Sequence, residues 1–258
     1  MIKNEKLRKT IRALAIVFLV IAIGLFIEDT LSVMNFNQTQ DNLDDLIEEV
    51  TEEIIDTTTQ NPDDFPVDEI VKGSDAFHEK LLNTNKDYVG WISLPGLNLE
   101  YPIVFGKDNS YYLSHSFYKQ YSKYGTIFMD YRNAPDFTQP QTVLYGHHMR
   151  NDTMFARLDE LRKQANYAAS STFQIYTPNG LKTYQIFSVY PVDATTTTLN
   201  LPATSEDLTT RIAAYTKKSL YATGVDTSEA THIITLVTCT WVIENGRLFV
   251  HAIEVPNP

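Results

Sequence analysis

The sequence predicts a mainly β domain, folded as a closed barrel or a sandwich, behind a helical N-terminal part. Eight short runs rich in β-branched and aromatic residues lie between positions 88 and 255, and turn-forming residues separate them. The residues before position 67 instead hold a long apolar run followed by acidic residues at helical spacing. We find neither an internal repeat nor a glycine-rich phosphate loop, because the ten glycines are scattered along 258 residues.

The first 36 residues predict a basic tail and a single membrane anchor. The uncharged run ALAIVFLVIAIGLFI, residues 13–27, spans ~22 Å, and Ile11 with a snorkelling Arg12 extends it toward the ~30 Å hydrocarbon core. A cleaved signal peptide is the alternative, but no small-x-small cleavage site follows Ile27. Five basic residues precede the run and none lies between Arg12 and Lys72, which predicts a cytoplasmic N-terminus and an extracellular remainder.

Residues 37–66 predict an acidic stalk and a linker. The segment DNLDDLIEEVTEEIID, residues 41–56, places apolar residues at helical spacing among eight acids, so we expect an amphipathic helix or a partly ordered stalk. The stretch TTTQNPDDFP, residues 57–66, reads as a linker with Pro62 and Pro66 as helix breakers.

Residues 67–258 predict one compact domain. Ser74 is placed to cap a short helix that ends near Leu82. The β-like runs follow as YVGWISL, LEYPIVF, GTIFMDY, QTVLYGH, TFQIYT, LKTYQIFSVYPV, HIITLVTC and RLFVHAIEV. Two helices are expected between them, in MFARLDELRKQA and in SEDLTTRIAAYTKKSLY, the second with a capping box from Thr204 to Asp207.

Charge and cysteine content narrow the function. A formal charge of -11 and a pI near 4.9 disfavour a nucleic-acid partner, which requires clustered Lys and Arg. Cys239 is the sole cysteine, so it is an inert core residue, an intermolecular cross-linker or a nucleophile. A thiol nucleophile needs a base, because an unperturbed cysteine is only a few per cent thiolate at pH 7.

Histidine is the usual base, and His147 is the best of six candidates. It follows the apolar run TVLYG at a strand end, where Gly146 lets the backbone turn toward a cleft. His232 and His251 lie inside strand-like runs and read as structural, whereas His78 reads as a surface residue of a polar helix. The pair His147-His148 does not predict a metal site, because adjacent strand residues point to opposite faces and no third ligand stands at a recognisable spacing.

Arg247 is the candidate cation for stabilising an oxyanion, and its distance from Cys239 depends on one turn. If Asn245-Gly246 form a two-residue hairpin turn, Cys239 lies roughly 16 Å along the ladder from Arg247. If a wider loop spans residues 240–246, Cys239 and Arg247 face each other on neighbouring antiparallel strands. A surface pair of Arg247 with Glu244 is the alternative without a function.

These residues in this order resemble the sortases, membrane-anchored cysteine transpeptidases of Gram-positive bacteria. The resemblance covers residues ~75–255 and rests on TLVTC with an arginine eight residues later, and on YGHHM upstream. KDYVGWISLPGLNLEYPIVFGKDNSYYL, YGTIFMDYRN and the helix before the cysteine strand resemble class B. The resemblance implies an eight-stranded sortase-type β-barrel with N-terminal helices and a long helix before the cysteine strand.

The resemblance also implies roles. Cys239 corresponds to the nucleophile, His147 to the acid/base partner and Arg247 to the group that binds the substrate carbonyl or oxyanion. The positions that match the sorting-signal groove of the family are Asn109, Leu113, Tyr145 and the backbone at Thr240. Val237 stands where many class B members have serine, and His148 stands where asparagine is frequent; we assign His148 no chemistry.

The implied reaction cleaves a C-terminal sorting signal after Thr through a thioacyl-enzyme and transfers the protein to an amine of the cell wall. A pilin lysine is the alternative acceptor, and no cofactor is implied. A papain-like hydrolase is disfavoured because its cysteine precedes its histidine. The remaining alternative is a non-catalytic surface barrel, in which Cys239 would be buried and unreactive.

Overall fold

The computed structural model describes residues 5–57, 67–202 and 205–257. Most of the expected linker, residues 58–66, and Thr204 of the expected capping box lie outside the described residues. The rest comprises five α-helices, eight strands and short 3-10 helices that connect them.

The N-terminal part is one helix, α1 (Glu5–Thr57), of 53 residues. The acidic segment, residues 41–56, is therefore helical, which agrees with an amphipathic helix and not with a partly ordered stalk. One face of its second half is buried against the domain, through Ser32, Phe36, Thr39, Leu43 and Val50. The boundaries of anchor, stalk and domain stay predictions.

Two short helices lead into the barrel, α2 (Val67–Lys72) and α3 (Asp75–Thr84). Ser74 caps α3 as predicted, since its hydroxyl accepts a hydrogen bond from the backbone N–H of Phe77 at 3.2 Å. The expectation that His78 lies on the surface is wrong. Its side chain is buried and bonded through Nδ1 to the hydroxyl of Tyr88 at 2.9 Å, and burial lowers its pKa to about 4.

The eight predicted runs form the eight strands of a closed barrel. They are β1 (Tyr88–Leu94), β2 (Leu99–Phe105), β3 (Ile127–Met129), β4 (Gln141–Tyr145), β5 (Thr172–Thr177), β6 (Gly180–Asp193), β7 (Ile233–Thr240) and β8 (Gly246–Val255). Their order around the barrel is β1-β2-β3-β4-β7-β8-β6-β5, with β5 pairing back to β1. The pairs β2–β3 and β4–β7 are parallel and the others antiparallel.

Side-chain alternation separates an inner from an outer face at the β4–β7–β8 wall. Leu144, Leu236 and Leu248 pack in the main core. Val143, Val237 and Phe249 pack instead in a second cluster with apolar residues of α5 (Ser205–Lys218), the predicted helix before the cysteine strand. Helix α5 therefore covers the outside of this wall.

The helix expected in residues 154–165 differs from the prediction. Residues Phe155–Arg162 form a 3-10 helix, and the four-residue helix α4 (Gln164–Tyr167) follows. Phe155, Leu158 and Leu161 are fully buried, and their three-residue spacing matches the three residues per turn of a 3-10 helix.

Candidate active site

The candidate nucleophile lies on the outer face of β7, one residue before the strand ends. Val237 faces outward, so the alternation of a strand also turns Cys239 outward. The Cys239 side chain is partly exposed rather than sealed in the core. The thiol is therefore accessible from solvent.

His147 lies beside Cys239 because its strand runs parallel to β7. Tyr145 pairs with Val237, and the backbone N–H of Gly146 donates to the Val237 carbonyl at 3.1 Å. Strand β4 ends at Tyr145, and the same parallel register carried two residues further would bring His147 level with Cys239. Both residues line the same groove. Tyr145 packs on the outer face, and alternation places His147 on that face as well.

The ring of His147 is fixed by a backbone carbonyl. Its Nε2 lies 2.7 Å from the carbonyl oxygen of Leu113, which follows β2 in a short 3-10 turn. A carbonyl oxygen only accepts hydrogen bonds, so Nε2 carries a proton and donates it. The nitrogen left to exchange a proton with a substrate is therefore Nδ1.

Arg247 stands directly opposite Cys239. Cys239 pairs with Arg247 and Thr240 with Gly246, so the wider-loop arrangement is confirmed and the two-residue hairpin turn is wrong. Gly246 closes the loop by donating its N–H to the Ile243 carbonyl at 3.1 Å, after Asn245 in the left-handed region at φ 52°. A Cβ on Gly246 would lie 2.6 Å from the carbonyl oxygen of Thr240, so glycine is required here.

The guanidinium of Arg247 is free for a ligand within the described part of the chain. It donates to the carbonyl of its neighbour Gly246 at 3.1 Å, and it forms no ion pair with Glu244 or any other described carboxylate. An unpaired guanidinium beside a thiol is suited to bind a carbonyl or an oxyanion.

An open groove of about 380 Å³ contains all three groups. Three of the four predicted substrate-binding residues line it, namely Asn109, Leu113 and Tyr145, together with Phe128, Gly146, Val237 and Thr238. The side chain of Thr240 does not line it, because it is buried and donates to Asp159 at 2.9 Å, and the predicted role of the Thr240 backbone stays a prediction. The lining combines apolar side chains with a thiol, an imidazole and a guanidinium.

One wall of the groove rests on a buried carboxylate. The hydroxyl of Tyr145 donates to Asp130 at 2.9 Å, and Arg132 donates to both oxygens of Asp130 at 2.9 and 2.7 Å. Burial by itself would raise the pKa of Asp130, but the hydrogen bonds from Arg132 and Tyr145 outweigh it and hold the pKa below its usual value. Burial and this carboxylate both raise the pKa of Tyr145, so its hydroxyl stays protonated and fixed.

His148 is the residue of this site that sequence reasoning missed. Its Nδ1 donates to the backbone carbonyl of Cys239 at 2.7 Å. Its ring packs edge-on against that of Trp241, with the ring centroids 5.8 Å apart. Strand alternation predicts that His148 points away from His147, but only the tertiary structure shows that its partner is the carbonyl of Cys239. It ties the main chain of the candidate nucleophile to the loop that follows β4.

Gly146 is needed for a reason other than the turn predicted from the sequence. A Cβ there would lie 2.5 Å from Cδ1 of Ile127 and 2.6 Å from Cγ of Phe155. The close approach lets the Phe155 N–H reach the His147 carbonyl at 2.9 Å. Packing of the 3-10 helix against this glycine therefore positions the candidate histidine.

Comparison with known proteins gives the family. The model of the sortase domain matches residues 92–255, which include every element of the groove. The chain belongs to the sortase family.

The relatives of this sortase place it in class B. Sortase B of Listeria monocytogenes is 35% identical over 176 residues, which cover 66% of this chain and 70% of the relative. The structure of Clostridium perfringens sortase B superposes with a TM-score of 0.64 at 34% identity, over 69% of this chain and 99% of that one. The Staphylococcus aureus sortase B–substrate complex superposes with a TM-score of 0.71 at 27% identity, over 87% of this chain and 100% of that one.

Proposed function

We propose that this sortase cleaves a C-terminal sorting signal after Thr and transfers the protein, through a thioacyl-enzyme on Cys239, to an amine of the cell wall. The observation that carries the proposal is that His147, Cys239 and Arg247 line one groove, in which Cys239 and Arg247 face each other on β7 and β8. The same arrangement counts against a non-catalytic barrel, in which the thiol would be sealed.

In the first step the Cys239 thiol gives its proton to Nδ1 of His147, and the thiolate attacks the backbone carbonyl carbon of the Thr residue. The carbonyl π electrons move to oxygen, and Arg247 donates hydrogen bonds to the resulting oxyanion. When the intermediate collapses, the C–N bond breaks and His147 gives its Nδ1 proton to the leaving nitrogen. The product is a thioester on Cys239 and a released peptide amine.

In the second step an acceptor amine attacks the thioester. His147 takes a proton from the amine through Nδ1, the C–S bond breaks, and the released sulfur takes that proton from Nδ1. Because Nε2 holds the Leu113 carbonyl throughout, the ring keeps its orientation while Nδ1 alternates between acid and base. A lysine amine of a pilin is the alternative acceptor.

We further propose that α1 anchors the enzyme in the cell membrane, with the N-terminus cytoplasmic and the barrel extracellular. Within the described residues, α1 is long and apolar enough to cross a membrane, and none of its most apolar window is buried by the protein. The basic residues before the apolar run support the orientation.

The test incubates the protein with a panel of sorting peptides, with and without candidate amines, and identifies products by mass spectrometry. We expect cleavage after Thr, a ligated product only when an amine is present, and no cleavage by Cys239→Ala. Cleavage by a folded Cys239→Ala protein refutes the assignment. Products from glycine-type amines, and not from lysine peptides, support a cell-wall acceptor over a pilin.

A matched pair of histidine variants tests the acid/base role. His147 and His232 each bond through Nε2 to a main-chain carbonyl, at 2.7 Å to Leu113 and at 3.1 Å to Thr138, but only His147 lines the groove. We expect His147→Ala to lose cleavage and His232→Ala to retain it. Equal loss in both variants would mean a structural effect and not acid/base catalysis.

A further inference from the structure

The membrane-side end of the barrel meets α1 where the apolar run ends. Ser32 and Phe36 of α1 are buried against the domain, and Phe36 stacks on Tyr124 with ring centroids 4.2 Å apart. Lys123 reaches further down the helix and pairs with Asp29, two residues beyond Ile27. No spacer therefore separates the candidate membrane span from the folded domain.

The thickness of a bilayer brings this end of the barrel to the lipid. A hydrocarbon core of ~30 Å needs ~20 helical residues at ~1.5 Å per residue. A span beginning at Ile11 therefore reaches the outer edge of the hydrocarbon near Thr30, between Asp29 and the buried Ser32. Any tilt of the helix lengthens the span and brings the barrel closer still.

Exposed side chains at this level fit a lipid surface. Leu31 and Met34 continue the apolar surface of α1 and remain 52% and 60% exposed beside the barrel. Tyr121, close to Lys123, is 58% exposed. Tyrosine and lysine are enriched where proteins meet the headgroup layer, and Lys123 also neutralises a carboxylate held near the hydrocarbon edge.

We propose that residues 121–124, the basal loop, use the side chains of Tyr121 and Lys123 to contact the phospholipid headgroup layer of the membrane that α1 crosses. The proposal rests on the membrane anchoring proposed above and adds a second contact, made by the catalytic domain itself. The basal loop belongs to the segment that orients the candidate acid/base: Ser122 N–H donates to the Ser114 carbonyl at 3.0 Å, one residue after Leu113. The membrane thus sets the height and orientation at which the groove meets membrane-bound substrates.

The test measures label depth in the full chain, reconstituted in nanodiscs of phosphatidylcholine and phosphatidylglycerol. Single cysteines are introduced in a Cys239→Ala background as Tyr121→Cys, Gln120→Cys, Val20→Cys and Asn179→Cys, and each carries an environment-sensitive fluorophore. Lipids with nitroxides on the headgroup or on the acyl chain quench the label according to depth. Gln120→Cys keeps Tyr121 in place, and Asn179 is an exposed turn residue at the α2 end of the barrel.

We expect acyl-chain nitroxides to quench the label at residue 20, and headgroup nitroxides to quench the labels at residues 121 and 120 at least three-fold more than the label at residue 179. Labels at 121 and 120 that are quenched no more than the one at 179 overturn the docking, while quenching at residue 20 leaves the anchor standing. An unquenched label at residue 20 overturns the anchor and the docking together. Cleavage and ligation of sorting peptides are measured separately, so the acyl-transfer proposal can fail or stand without changing this readout.

Discussion

Replacing His148 by leucine removes the hydrogen bond that holds the main chain of Cys239 while keeping a side chain of similar width. That bond is 2.7 Å long and partly buried, so its net contribution is on the order of 1 kcal/mol. The edge-on contact with Trp241 adds roughly 0.5–1.5 kcal/mol. We expect His148→Leu to lose roughly 2 kcal/mol of stability, which lowers the Tm by roughly 4–8 °C for a domain of this size.

The matched variant is His148→Asn, because Nδ2 of asparagine occupies the position of Nδ1 in histidine. It keeps the donor to the Cys239 carbonyl and loses only the ring contact with Trp241. We expect kcat to fall about ten-fold in His148→Leu, since small displacements of a reacting group are costly, with KM changed less than two-fold. In His148→Asn we expect kcat within about three-fold of the wild type, because the bond that positions the nucleophile is retained.

The assay is cleavage of a fluorogenic sorting peptide, with kcat and KM determined separately across pH and with the rate of Cys239 alkylation as a second readout. Wild-type kcat and alkylation in His148→Leu would show that the bond does not position Cys239. Equal losses in both variants would assign the effect to the Trp241 contact. A pH profile abolished in His148→Asn would make His148, and not His147, the acid/base group.

The buried histidines, Gly146 and Arg247 can each be tested by substitution. Burial keeps His78 and His251 neutral and lowers their pKa values to about 4 and about 3. The unfolded state therefore binds protons first, and the free energy of unfolding falls as the pH drops below ~6.5, by at most ~1.4 kcal/mol per pH unit for each histidine. Urea unfolding between pH 7 and 5 measures this slope, and His78→Gln should flatten it. Gly146→Ala places a Cβ within 2.5 Å of Ile127 and should lower the stability by roughly 1–3 kcal/mol. We expect kcat to fall more than the affinity for the substrate. An unchanged Tm and kcat would contradict the packing argument. Arg247→Lys keeps the positive charge but loses the forked hydrogen-bond donor of the guanidinium. We therefore expect kcat/KM to fall about ten-fold or more while the rate of Cys239 alkylation stays unchanged. A wild-type kcat/KM in this variant would remove the guanidinium from the mechanism.

Local patterns in the sequence were sufficient to predict the eight strands, the start of α3 and the helix before β7. The eight β-like runs are the eight strands to within a few residues, because each combines β-branched residues with clear breakers. The N-cap at Ser74 and the helix before β7 also follow from short-range signals. The segment Phe155–Arg162 was predicted as an α-helix but is a 3-10 helix. The two helices have about 3.6 and about 3.0 residues per turn, so a short run of apolar residues does not distinguish them.

The position of Arg247 illustrates what local signals leave open. Asn-Gly is a strong hairpin signal, yet Gly246 serves as the first residue of β8, and the chain turns over the five residues before it. Strand β7 pairs with β8 while it also pairs with β4, and β4 comes from a distant part of the sequence. The error on His78 has the same origin, since α1 and β1 enclose a helix that by itself looks polar.

The sequence by itself determined which residue types this sortase has for its chemistry: one thiol, a histidine at a strand end and an arginine near the thiol. Only the tertiary structure decided that these three side chains line one groove, and that the carbonyls of Leu113 and Cys239 hold the two adjacent histidines. Residue identity and spacing along the chain set propensity and alternation. Contacts between segments far apart in sequence depend on strand register and barrel closure, which the packing of the whole core selects.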